Sequence, residues 1–284
     1  MFFIPLFDDN PTGRWPLVTW ALMAICIAVF LLQVAMPERQ QLALWLSYGA
    51  IPALVTGDVA LPPELTTLPP VATLGSSIFL HGGWMHLAGN MLFLWIYGDN
   101  VEDRMGPLKF LAFYLICGVA ASLTHVLISP NDTAPLIGAS GAIAGVMAAY
   151  LLMFPRAKVR VLMIIIIFIR WIYLPAFVVL GTWLLVQVFA APSSLSQQGG
   201  TAYFAHLGGF VAGLALTPLF KKSGTPLLPK AETPPHWEIE PVPARQVKSE
   251  FIQRYQRKRR VLVPNVKRTE NPPPPQKKNP WQQD

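Results

Sequence analysis

Long apolar runs separated by short polar stretches set the pattern of the chain. Runs near residues 16–36, 108–129, 172–191 and 201–220 are long enough to cross a bilayer as helices, which takes roughly 17–25 mostly apolar residues. Two more, 84–98 and 138–154, look short and hold more small and polar residues. That composition suits helices enclosed by other helices and shielded from lipid. The first run lacks a convincing small-residue cleavage site, and Trp15 and Trp20 read as an interfacial anchor. It is therefore expected to stay as an uncleaved span. The pattern predicts an all-α polytopic membrane protein, a bundle of six transmembrane helices over residues 16–220.

Two connections stand out. Residues 37–80 mix Leu42, Leu44, Trp45, Leu46 and Tyr48 with a Pro-rich stretch from Leu61 to Pro70. The aromatic and leucine content favours a segment on or in the outer leaflet. Residues 159–170 are apolar but end on Arg170. Arg170 is either a functional charge inside the membrane or the end of an apolar cytoplasmic or interfacial segment. The second reading is preferred, with the next span opening near Trp171, because 159–191 is too long for one ordinary span.

Composition agrees. Of 284 residues, 53% are hydrophobic and only 13% charged, against about 25% charged in an ordinary soluble domain. Cys26 and Cys117 both lie in apolar runs, which excludes a disulfide scaffold. The net charge of +7 is uneven. Residues 221–284 hold 14 Lys and Arg against 6 Asp and Glu, and 12 of the 28 prolines. This basic, Pro-rich tail is expected to be disordered. Its run from Phe251 to Arg260 fits contact with anionic lipid or a solvated topology signal, with nucleic acid not expected.

Lys and Arg also orient the chain. One side would hold Arg14, Arg104, Lys109, Arg156, Lys158, Arg160 and the tail, and the other only Arg39. Both termini, including the short segment 1–15, are then cytoplasmic. A compact six-span core favours a bacterial inner (plasma) membrane.

In this orientation the second, fourth and sixth spans enter from outside, each with polar residues near its outer end. His86 and Asn90 lie four apart on one helix face. Ser140 stands in Gly138-Ala139-Ser140-Gly141, and His206 opens the sixth span. At 1.5 Å per residue they share a depth within roughly 10 Å. A serine hydroxyl becomes a nucleophile when a base takes its proton, and His206 can be that base. His86, Asn90 and the Ser140 backbone N–H could receive the oxyanion. No carboxylate lies inside these spans, and Asp132 in the short outer loop is read as a solvated acid rather than a third member. The Gly141/Gly145 and Gly209/Gly213 faces permit close approach of the fourth and sixth spans.

The stretches His81-Gly-Gly-Trp-Met-His86-Leu-Ala-Gly-Asn90, Gly138-Ala-Ser140-Gly141 and Ala205-His206-Leu-Gly-Gly209-Phe-Val-Ala-Gly213, in this order, resemble the rhomboid family of intramembrane serine proteases. The resemblance covers about residues 10–220. It implies a six-helix bundle around a water-filled cavity open to the outside, with Ser140 as nucleophile, His206 as base, and His86 and Asn90 at the oxyanion. It implies cleavage of membrane proteins in or near their spans, with single-span substrates expected and no cofactor or metal. Glu102 and Arg104 also resemble a family pattern and are read as structural. Two departures stand out: 37–80 contains no Trp-Arg pair, and Ala144 stands where some members place an aromatic beneath the histidine ring. A catalytically dead, client-binding homologue is disfavoured by the intact Ser140, His206, His86 and Asn90. A solute transporter would call for internal repeats or membrane carboxylates, and neither is found.

Overall fold

The structure is a computed structural model that describes residues 2–165, 168–194 and 202–229. Strand β1 (Phe2–Asp8) precedes helix α1 (Leu17–Val34). Short helices α2 (Glu38–Tyr48), α3 (Pro52–Thr56) and α4 (Thr73–Ser76) follow, with three 3-10 turns among them. Helices α5 (Trp84–Met105), α6 (Pro107–Ile128) and α7 (Ser140–Met153) come next. Strands β2 (Lys158–Ile165) and β3 (Phe168–Pro175) lead into α8 (Ala176–Ser194), and α9 (Tyr203–Phe220) completes the set. Among the described residues α1, α6 and α9 are long and apolar enough to cross a membrane, and residues 140–153 and 176–192 form shorter apolar helices. The tail beyond residue 229 lies outside the described residues, as does its expected disorder.

The fold is mostly helical, but the all-α expectation needs correction. β1, β2 and β3 form an antiparallel sheet in that order, with Phe3 opposite Met163 and Val161 opposite Ile172. The described part of 159–170 therefore belongs to two antiparallel strands, and α8 starts at Ala176 rather than near Trp171. The physical reason is composition. β-branched and aromatic residues crowd both arms, and such side chains fit a pleated, half-buried surface. Val159, Val161 and Pro5 turn inward and are buried, whereas Trp171 and Tyr173 on the opposite face are exposed.

The helix bundle closes around α7, whose residues from Gly141 to Tyr150 are all buried. Glycines decide how closely its neighbours come. A Cβ on Gly145 would lie 2.6 Å from Cys117 Sγ of α6, and one on Gly213 would lie 2.6 Å from Gly145 Cα. A Cβ on Gly209 or Gly141 would likewise run into Gly141 O or Ala121 Cβ. Backbone thus meets backbone along the α7–α9 seam, as small-residue faces allow.

The opposite end from Ser140 is tied by polar groups. The Glu102 carboxylate, 4% exposed, accepts the backbone N–H groups of Val18 (3.0 Å) and Thr19 (2.8 Å) and the Thr19 hydroxyl (2.8 Å). These amides open α1 and lack helical partners, so an acid on α5 caps α1. Arg104 sets its guanidinium 5.4 Å from the Phe154 ring centre, and its carbonyl accepts the Lys222 N–H. Residues 221–229 continue along this end, where Leu228 N–H bonds to Leu152 O and Arg156 to Pro229 O. Asp8 of β1 accepts from Tyr150 Oη (2.5 Å) and Asn100 Nδ2 (3.0 Å). Burial pushes the Asp8 carboxyl up to about 6, the Tyr150 hydroxyl opposes this, and Asp99 adds to it.

Candidate active site

Ser140 is the first residue of α7. The chain reaches it through Gly138, whose φ of +128° is costly for any residue with a side chain. This entry is held from two sides. Gly138 N–H donates to Ser77 O (2.9 Å), and Ala50 and Leu136 pair as an isolated β-bridge. The 37–80 connection therefore braces the segment leading to the serine. Because Ser140 sits in the first turn, its N–H and the next ones have no helical acceptor.

His206 projects from the first turn of α9, and its Nε2 lies 2.7 Å from Ser140 Oγ. The glycine seam makes this distance possible, since Gly209 and Gly213 follow His206 by one and two turns on the face that meets Gly141 and Gly145. The expected serine–histidine pair is thus in hydrogen-bond contact.

His86 and Asn90 converge on the same place. A Cβ built on Gly138 would lie 2.7 Å from His86 Nε2 and 3.8 Å from Asn90 Nδ2. The space vacated by the missing side chain, two residues before the serine, faces both groups. Gly82 N–H points at His86 Nδ1 (3.4 Å), which leaves the proton on Nε2 and makes that atom a donor. Asn90 is buried, and among the described residues its Nδ2 has no hydrogen-bond partner. A buried unpaired amide donor is expensive to keep, and it suits an acceptor that arrives with a ligand. His86, Asn90, Gly138, Ser140, Gly141 and His206 line one cavity of about 970 Å³.

The segment preceding α5 is locked separately. Gln33 of α1 donates to His81 O (2.9 Å) and accepts His81 N–H (3.2 Å). The His81 ring, fully buried, stands edge-on to His86 with centroids 5.3 Å apart. Glu102 and Arg104 lie at the far end of α5, away from the cavity lining.

Asp132 does not complete a triad. It accepts Ala134 N–H (2.9 Å) and pairs with His125 at 3.6 Å. The second nitrogen of His206, Nδ1, instead meets Gln187 Oε1 of α8 at 2.7 Å. The question raised by Ala144 is also answered from α8. Trp183 lies against the His206 ring with centroids 6.0 Å apart at 36°, and Tyr203 meets it edge-on at 6.4 Å. Sequence reasoning missed Gln187 and Trp183. The signal was present, because Gln187 is an amide inside an apolar run, and such residues are costly in a membrane unless employed.

The sequence model of the Rhomboid domain matches residues 70–223, more than half of the chain. The chain is 30% identical over 157 residues to Rhomboid-like protein 11, chloroplastic, of Arabidopsis thaliana, covering 52% of this chain and 51% of that one. It is 30% identical over 148 residues to Rhomboid protein 1, mitochondrial, of Saccharomyces cerevisiae, covering 51% and 40%. Over 74 residues it is 45% identical to Rhomboid protease GluP of Bacillus subtilis, covering 26% and 14%. It spans about half the length, or less, of these curated relatives. With the Rhomboid domain matched across the segment that carries His86, Asn90, Ser140 and His206, the chain belongs to the rhomboid family of membrane-embedded proteins.

Proposed function

We propose that the chain is an intramembrane serine endopeptidase that cleaves membrane-protein substrates in or near their spans through a Ser140–His206 dyad. The observation that carries this reading is the 2.7 Å Ser140–His206 contact, set in one cavity with an Asn90 amide that has no partner among the described residues. Ser140 Oγ attacks the scissile carbonyl while His206 Nε2 takes its proton. The resulting oxyanion is received by Asn90 Nδ2, His86 Nε2 and the free amides that open α7. His206 then returns the proton to the leaving amine, and water releases the acyl group by the same route. None of these steps calls for a cofactor.

Depth supports an intramembrane site. α7 has 14 residues, or about 21 Å at 1.5 Å per residue, against a hydrocarbon core of about 30 Å. With its Met153 end at the inner boundary, Ser140 lies roughly 10 Å below the outer one. We read α1 and α5 to α9 as six spans with both termini cytoplasmic, in a plasma membrane of bacterial type. The excess of Lys and Arg on the side of Arg14, Arg104 and Arg156 favours this orientation.

The substrate class follows from the same physics. Ser140 can attack only an exposed carbonyl, whereas a spanning helix hides its carbonyls in its own hydrogen bonds. Single-span substrates must therefore unwind near the outer end of their helix. Gly and Pro lower that cost, being roughly 1 and 3 kcal/mol worse than Ala inside a helix. The test is cleavage of a single-span substrate in proteoliposomes by the native chain and Ser140→Ala, with a second substrate whose Gly and Pro are replaced by Leu. The reading expects cleavage by the native chain only, slowed on the Leu substrate. Equal cleavage by Ser140→Ala would refute the serine mechanism.

A further inference from the structure

We propose that Gln187 is a positioning residue for the reaction: it holds the His206 ring in the one tautomer that can accept the Ser140 proton. The proposal rests on the reading of Ser140 as nucleophile and His206 as base. Three helices supply the three members, with Ser140 on α7, His206 on α9 and Gln187 on α8.

The geometry fixes each proton. Gln187 is buried, 6% exposed. Its Nε2 donates to Trp183 O, one turn earlier on α8, at 3.3 Å. Its Oε1 faces His206 Nδ1 at 2.7 Å. Turning the amide over would set Oε1 against the Trp183 carbonyl and the amide N–H groups against the ring, losing the backbone bond. Oε1 can only accept, so His206 Nδ1 must carry the hydrogen. A neutral imidazole has one N–H, so Nε2 is left with its lone pair aimed at Ser140 Oγ, 2.7 Å away. The other tautomer would oppose the lone pairs of Nδ1 and Oε1 while Nε2 donated to the serine, which leaves the nucleophile without a base.

The contact keeps its sign through the reaction. When Nε2 gains the serine proton, Nδ1–H still donates to Oε1, and hydrogen bonds to charged groups are the stronger ones. A buried carboxylate would do the same at the cost of a permanent charge in the membrane. An amide supplies the acceptor without that charge. Trp183, one turn earlier on α8, packs on the ring that Gln187 orients, so α8 sets both the plane and the tautomer of His206.

The test compares Gln187→Met and Gln187→Glu with the native full chain in proteoliposomes, measuring kcat, KM and thermal stability, beside Ser140→Ala and His206→Ala. Methionine keeps the length and unbranched shape of glutamine but offers only a weakly accepting thioether sulfur in place of the amide oxygen. Gln187→Met is expected to lower kcat by roughly tenfold to a hundredfold, with KM and melting temperature close to native. Gln187→Glu restores the acceptor and is expected to return kcat to within about tenfold of native. Native kcat in folded Gln187→Met, or inactive but folded Gln187→Glu, overturns the proposal. Should Gln187→Met fail to fold, Gln187→Glu decides alone by the same criterion. Cleavage that survives in Ser140→Ala would instead refute the serine mechanism, a result separate from failure of the Gln187 variants alone.

Discussion

Asn90→Ala should slow the proposed cleavage without unfolding the chain. Asn90 is 7% exposed, and its Nδ2 has no hydrogen-bond partner among the described residues. Leaving such a donor unpaired costs about 1–3 kcal/mol, and truncation removes that penalty. The small cavity left behind costs a comparable amount, so folding stability should move by no more than roughly 1 kcal/mol. The transition state is affected differently. Losing one preorganised oxyanion donor typically removes roughly 2.7–4 kcal/mol, a factor of about 10² to 10³ in kcat. KM should stay near native, because the donor points at a charge that exists only after attack. The assay is a time course with a single-span substrate in proteoliposomes, paired with thermal unfolding in detergent. Full turnover in Asn90→Ala would reduce the amide to helix packing. A rate loss that merely tracks a fall in melting temperature would also refute the reasoning.

Three further outcomes are expected. Gly213→Val should part α9 from α7, because even a Cβ there would sit 2.6 Å from Gly145 Cα; a loss of roughly 1–3 kcal/mol or more in stability, together with loss of cleavage, is the expected reading. Gly181→Ala, with nothing within 4 Å, is its control and should be neutral or slightly stabilising. The hold on β1 should depend on pH: Asp8, raised from 3.8 to about 6 by burial, contributes fully below about pH 4 and loses that contribution as pH rises through about 6. Hydrogen-exchange protection factors over residues 2–8, corrected for the intrinsic pH dependence of amide exchange, should therefore be higher at pH 5 than at pH 8, with the difference abolished in Asp8→Asn. Finally, a membrane-impermeant thiol reagent applied from outside should label Ala60→Cys and miss Lys230→Cys, and the reverse pattern would overturn the assigned orientation.

Much of the helical framework was legible because membrane helices advertise themselves by length and apolarity. α1, α6 and α9 begin and end within a few residues of the runs that suggested them. α5 runs on to Met105, past the apolar limit at 98, because its polar last turns are satisfied by α1 and β1 through Glu102 and Asn100. The sheet was not legible. Apart from Lys158, Arg160 and Arg170, β2 and β3 are apolar throughout, so most of their length lacks the alternation that reveals a strand, and β1 pairs with β2 from about 150 residues away in the sequence. Ser140, His206, His86 and Asn90 were legible for a physical reason: polar groups near the outer ends of apolar runs need a purpose. Gln187 was not legible, because it lies past the middle of α8 rather than near the start of an apolar run, and only the packing of α8 on α9 brings its amide to His206.

The most direct test of the central claim is covalent labelling of the purified full-length chain in lipid by a mechanism-based serine reagent, with the adduct located by peptide mass spectrometry. A serine activated by the 2.7 Å contact with His206 should carry one adduct, on Ser140, with none in Ser140→Ala and sharply slowed labelling in His206→Ala. Labelling of other serines in place of Ser140, or a rate at Ser140 unchanged in His206→Ala, would contradict the account.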